Sequence, residues 1–192
     1  MRLMDRWPTT LVVASLLLGS GVCRLSAQEE WAAADRQTRR LAPVSFTKIP
    51  QKITEELERR RCLIPQAGDD TIPHSVVKGS FFRAGQTDYA ALCSRARAST
   101  IVVIWGGPSD CPDEMEVRQD KSYLLKGSDG VIRYLRRIES IVPKRIKALF
   151  DRYGGDPPPP LSHDGINDRF TGKGSVIRYC YDGKWRELTG EQ

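Results

Sequence analysis

The chain holds only two histidines, His74 and His163, and no two of its five cysteines lie closer than eighteen positions. Zinc sites are built from closely spaced cysteine pairs or from H-E-x-x-H, so neither kind is encoded. The G-x-S-x-G elbow and glycine-rich phosphate loops are also missing, and no cofactor is expected. No segment approaches the ~20 consecutive apolar residues of a membrane-spanning helix. There is no internal repeat.

The N-terminus has one short apolar run, residues 11–18, preceded by Arg2 and Arg6 and broken by Gly19, Gly21 and Arg24. Leu25-Ser26-Ala27 supplies a small residue for cleavage. This pattern is that of a secretory signal over residues 1–27, cut after Ala27. A lipoprotein cut before Cys23 fits less well, because Val22 is bulkier than such a cut accepts. Removing Arg2, Arg6, Arg24 and Asp5 leaves 27 basic and 23 acidic side chains, a net charge of +4 against +6 for the whole chain. The remaining 165 residues suit one domain with a sizeable core. Periplasmic or secreted localisation follows, with no membrane span after cleavage. The basic clusters Arg39-Arg40, Arg59-Arg60-Arg61, Arg95 with Arg97, and Arg136-Arg137 are short and interleaved with acids. They read as solvated faces, and export argues against a nucleic-acid partner.

Cys62, Cys93, Cys111 and Cys180 remain after cleavage, an even number that predicts two disulfides in an oxidising compartment. Three connectivities are open. Cys62–Cys93 with Cys111–Cys180 is favoured, because it ties an N-terminal helix to a sheet and the tail hairpin to the middle of the chain.

Residues 28–45 form an N-terminal arm, either helical or loose, and residues 46–192 a single domain. In QKITEELERRRC, Ile53 and Leu57 share a face and acids precede bases, which complements a helix dipole. Residues 75–82, 89–93 and 100–105 are rich in β-branched and aromatic residues. The last of these is apolar on both faces and should be a central, doubly covered strand. Residues 123–126 and 131–138 flank Gly127-Ser128-Asp129-Gly130 as a hairpin. Pro143 opens a helix with Ile146, Leu149, Phe150 and Tyr153 on one stripe, stopped at Gly154. Residues 156–160 form an extended proline spacer. Asp182-Gly183 between two strand-like runs is a tight-hairpin signal. The fold expected is α+β: an antiparallel sheet of about five or six strands, packed by one or two helices and stapled by disulfides.

In residues 79–90, Gly79, Phe81, Gly85, Asp88 and Ala90 resemble the FG-GAP/VCBS motif of β-propeller blades. The resemblance implies a strand–loop–strand turn. The positions that would carry calcium ligands hold Ser80, Phe82 and Ala84, too few oxygens for an ion that takes six or more. One copy cannot build a propeller. Residues 62–66, 85–94 and 163–168 are together similar to a group of exported bacterial proteins, a likeness that implies compartment and fold but no activity.

His163-Asp164-Gly165-Ile166-Asn167-Asp168 is the remaining candidate for chemistry. Asp164, Asn167 and Asp168 could hold a hard cation, and His163 with Asp164 or Asp168 could act as a catalytic pair. A polar loop satisfying its own backbone is the plainer reading. His74, after Pro73, reads as a surface loop residue. Two functions follow: a non-catalytic exported module that binds a protein or glycan, or an exported hydrolase built on His163. An enzyme would place His163 with a second group in a concave pocket, whereas a binding module would leave it exposed on a loop.

Overall fold

The segment ASTIVVI, apolar on both faces, forms the strand on which two layers of the protein are built. The computed structural model describes residues 26–191. All but the last two residues of the expected signal segment lie outside that range. In chain order the elements are α1 (Ala27–Gln37), β1 (Arg40–Leu41), α2 (Gln51–Arg59), β2 (Ile64–Pro65), β3 (Val76–Gly79), β4 (Asp88–Arg95), β5 (Ala98–Ile104) and β6 (Arg118–Gln119). They continue with β7 (Leu124–Lys126), β8 (Ile132–Tyr134), β9 (Arg136–Ile141), α3 (Pro143–Tyr153), β10 (Gly165–Phe170), β11 (Gly174–Tyr181) and β12 (Lys184–Thr189).

The fold is α+β with two disulfides. Instead of one sheet, the strands form two four-stranded antiparallel sheets, ordered β3-β4-β5-β6 and β12-β11-β10-β9, plus the two-stranded ladders β1-β2 and β7-β8. Side chains alternate across a strand, and the alternation assigns each sheet its two faces. From the first sheet, Ala90, Leu92, Ile101 and Val103 point inward and meet Ile138 and Ile166 of the second. Val102, Ala91 and Tyr89 point outward and pack against Ile53 and Leu57 of α2. The outer face of the second sheet, Ile141, Ile177, Tyr179 and Leu188, is covered by Ile146 and Leu149 of α3. The layers therefore run α2, sheet, sheet, α3. Each buried aliphatic side chain contributes roughly 1.5–3 kcal/mol.

The helices end as their sequences dictate. Ser26 and Glu29 form a reciprocal capping box at the start of α1, which satisfies backbone N–H groups that the first turn leaves unpaired. A cut after Ala27 would remove Ser26 and that cap. In α2, hydrogen bonds from Arg59 and then Arg60 hold the Glu56 carboxyl at about 2, well below the usual carboxylate range. Pro143 opens α3, and Gly154, at φ 73°, closes it. The N-terminal arm is helical over α1 and is fastened through Arg40. The Arg40 guanidinium donates to Asp120 Oδ2 from Nε at 3.0 Å and Nη2 at 2.8 Å, beside the Ser94 hydroxyl at 2.6 Å.

The disulfides join Cys62 to Cys93, with Cα atoms 4.7 Å apart, and Cys111 to Cys180, at 6.1 Å. This is the favoured connectivity. The first ties the end of α2 to β4, and the second ties the loop after β5 to β11 of the other sheet. Among the described residues, no helix is long and apolar enough to cross a membrane.

Candidate functional site

The segment His163-Asp164-Gly165-Ile166-Asn167-Asp168 is a seam between the sheets rather than a polar loop: residues 165–168 begin β10, and Asn167 and Asp168 are buried. The Asp164 carboxylate accepts from the Ser80 N–H at 3.0 Å, and the Asp164 N–H donates to the Ser80 carbonyl at 2.8 Å. These two bonds clasp the start of β10 to the end of β3. His163 is buried, and its Nδ1–H donates to the Asp164 backbone carbonyl at 3.0 Å rather than to a carboxylate. Asp168 is engaged by Arg136, whose Nε and Nη2 each donate to a separate oxygen at 2.8 Å. Asn167 projects from the opposite face of β10. The three residues considered for a cation thus diverge, and no group of three or more His, Cys, Asp or Glu able to hold a metal occurs among the described residues.

His74 is wedged in place rather than free in a surface loop. Its Nε2 accepts from the Ala67 N–H at 2.7 Å, and its Nδ1–H donates to the Ile72 carbonyl at 3.2 Å. Burial pushes its pKa below the ordinary histidine value, consistent with this neutral tautomer. Two Ser-x-x-Lys spacings, Ser45 to Lys48 and Ser75 to Lys78, also occur in the chain. Ser75 is buried with its hydroxyl unpartnered among the described residues, while Lys78 is exposed.

The turn over residues 79–90 is organised by Asp88, which is fully buried. One oxygen accepts from the Phe81 N–H at 2.9 Å; the other accepts from Gln86 Nε2 at 2.8 Å and the Gly106 N–H at 2.9 Å. Three donors thus occupy the carboxylate, and the turn is tied by hydrogen bonds of its own.

The inner face of the second sheet is covered by the first only in part. Pairing of Ile166 with Arg178 and of Arg178 with Glu187 places these three on one face, with Asp168 and Phe170 further along β10. Beyond Ile166, where Asp168 is still buried and Phe170 only partly so, this face floors a cleft of about 500 Å³. One wall is the stretch from Arg118 to Tyr123, which leaves the first sheet, and the other is the β10–β11 turn with Lys173. The Arg136 guanidinium, buried behind the lining residue Asp168 with which it pairs, lies 4.4 Å from the centroid of the Tyr123 ring, and its Nη1 reaches Ser99 Oγ at 3.2 Å. Tyr123 meets Phe170 edge-on, with centroids 5.5 Å apart. Arg178 sits between Asp168, 3.5 Å from its Nε, and Glu187, to which it donates.

Burial alone would lower Arg136, but the hydrogen bonds and charge of Asp168 outweigh it and hold the guanidinium above its ordinary value. Burial raises the Tyr123 phenol, against the pull of Arg136. Arg136 therefore stays charged and Tyr123 stays neutral at physiological pH.

Comparison with protein families, with curated proteins and with solved structures finds no match to this chain. None of Arg136, Tyr123, Phe170, Lys173, Arg178 and Glu187 was singled out as a site residue by sequence. One signal was present: alternation across residues 132–138 sets Arg136 on the same face as Tyr134 and Ile138, which marks an inward arginine rather than a solvated one.

Proposed function

We propose that this chain is an exported, non-catalytic binding module, periplasmic or secreted, whose ligand, a protein or glycan, seats in the cleft between the two sheets. The observation that carries this reading is the concave meeting of aromatic side chains with charged groups, Tyr123 and Phe170 beside Arg178 and Lys173. Ligand sites favour clefts of a few hundred Å³ with apolar walls and a few placed polar groups. Two disulfides suit an oxidising compartment. His163 is buried in the seam: it is neither exposed on a loop, as expected for a binding module, nor joined to a carboxylate, as a His163 hydrolase needs, since the Asp164 and Asp168 carboxylates bond elsewhere.

A photoreactive side chain placed at Ser122, on the cleft wall, tests the proposal against one at Glu58, on the outer surface of α2. Incubation with an extract of exported material should yield adducts from position 122 and none from position 58. No adduct at 122, or equal adducts at both, overturns it.

A further inference from the structure

We infer that the cleft binds a short anionic saccharide, its carboxylate at Lys173 and a sugar face against Phe170 and Tyr123; this rests on the binding-module reading above. Each acid in and around the cleft already has an arginine: Asp168 has Arg136, Glu187 has Arg178, and Glu116 has Arg118. Lys173 is the cation left over, without an ion-pair or side-chain hydrogen-bond partner among the described residues, and it stands on the rim of the cleft. One surplus cation suits a singly charged group.

A phosphate dianion fits less well. Helix N-termini and backbone nests supply converging N–H donors for such ions, whereas here the Lys173 N–H is spent on the Phe170 carbonyl at 2.9 Å.

The remaining surface matches a sugar. The two rings form an apolar corner that suits the C–H face of a pyranose. The Arg178–Glu187 pair is accessible on the Glu187 side, with 57% of that side chain exposed, so donor and acceptor stand together for vicinal hydroxyls. The hydroxyls of Ser122 and Thr189 line the same space. A peptide would more readily add to the edge of β12 through its backbone. That edge carries Lys184, Arg186 and Glu187, charges of the kind that guard exposed strands against pairing.

The test uses the processed protein and trigalacturonate as probe, measured by calorimetry beside its fully methyl-esterified form and inorganic phosphate. The ester keeps the shape and removes the charge. Trigalacturonate should bind, the ester should bind about tenfold more weakly or not at all, and phosphate should not compete. Lys173→Gln should reproduce the loss seen with the ester, while Lys184→Gln, an equal change in net charge away from the cleft, should bind as wild type. Lys173 is exposed, so its variant folds. Equal binding of acid and ester, competition by phosphate, an equal loss in both variants, or no binding overturns the inference. If trigalacturonate fails while the Ser122 adduct forms, the saccharide falls and the binding module stands; if both fail, both fall.

Discussion

Among the described residues Arg136 is the largest fully buried side chain, and its burial is tolerable because Asp168 meets it with two hydrogen bonds. Removing one partner of a buried ion pair leaves an unpaired charge and costs about 3–5 kcal/mol, whereas replacing both with apolar groups is often near neutral. Arg136→Ala should therefore destabilise the protein by about 3–5 kcal/mol in urea unfolding, and Arg136→Met with Asp168→Leu should recover most of that loss. Additive losses would show that the pair is not a coupled unit. Asp88 makes a second case, with three N–H donors on one carboxylate. Asp88→Asn should cost about 1–3 kcal/mol, and a chelator should leave the melting temperature of the wild type unchanged. A large drop on chelation would show that an ion organises the turn instead. Sequence reading found Asp88 through its motif spacing but took Arg136-Arg137 for a solvated pair. Its partner Asp168 lies 32 positions away, and local composition does not encode such a pairing.

Legibility at the scale of elements followed turn chemistry. Asp182 and Gly183 lie at φ 51° and 70°, the left-handed pair that an Asp-Gly hairpin needs, and β11 and β12 form as expected. The β4–β5 hairpin was not legible as a turn, because its tip is Ala96-Arg97, at φ 50° and 62°, residues that rarely adopt this region. Ala96→Asn should raise stability by up to about 1 kcal/mol by relieving that conformation, read as a higher urea midpoint at constant m-value. An unchanged or lower midpoint would mean the turn carries no such cost. Residues 131–138 read as one strand, yet the chain changes sheets at Leu135. The Leu135 N–H donates to the Tyr123 carbonyl and its carbonyl accepts from the Thr171 N–H, so distant segments decide where β8 stops and β9 begins.

Across the whole molecule, the sequence showed strands and helices in nearly the right places but merged two sheets into one. The division depends on pairings such as Ser99 with Arg118 and Asp168 with Ile138, which no local pattern displays. Cys111–Cys180 is the covalent link between the sheets, closing a separation of 69 residues. Replacing both cysteines by alanine should cost on the order of 4 kcal/mol. A loss below about 1 kcal/mol would mean that this bond restrains the unfolded chain little, or that native strain offsets the restraint. The same stacking leaves the open end of the second sheet as a cleft, while the histidine segment that looked chemical in sequence holds the seam. Chemical-shift mapping of the ¹⁵N-labelled protein during titration with trigalacturonate tests this division of labour most directly. The largest shifts should fall on Tyr123, Phe170, Lys173 and Arg178, with His163 and Asp164 unmoved. Shifts centred on His163 and Asp164, with the cleft silent, would contradict the account.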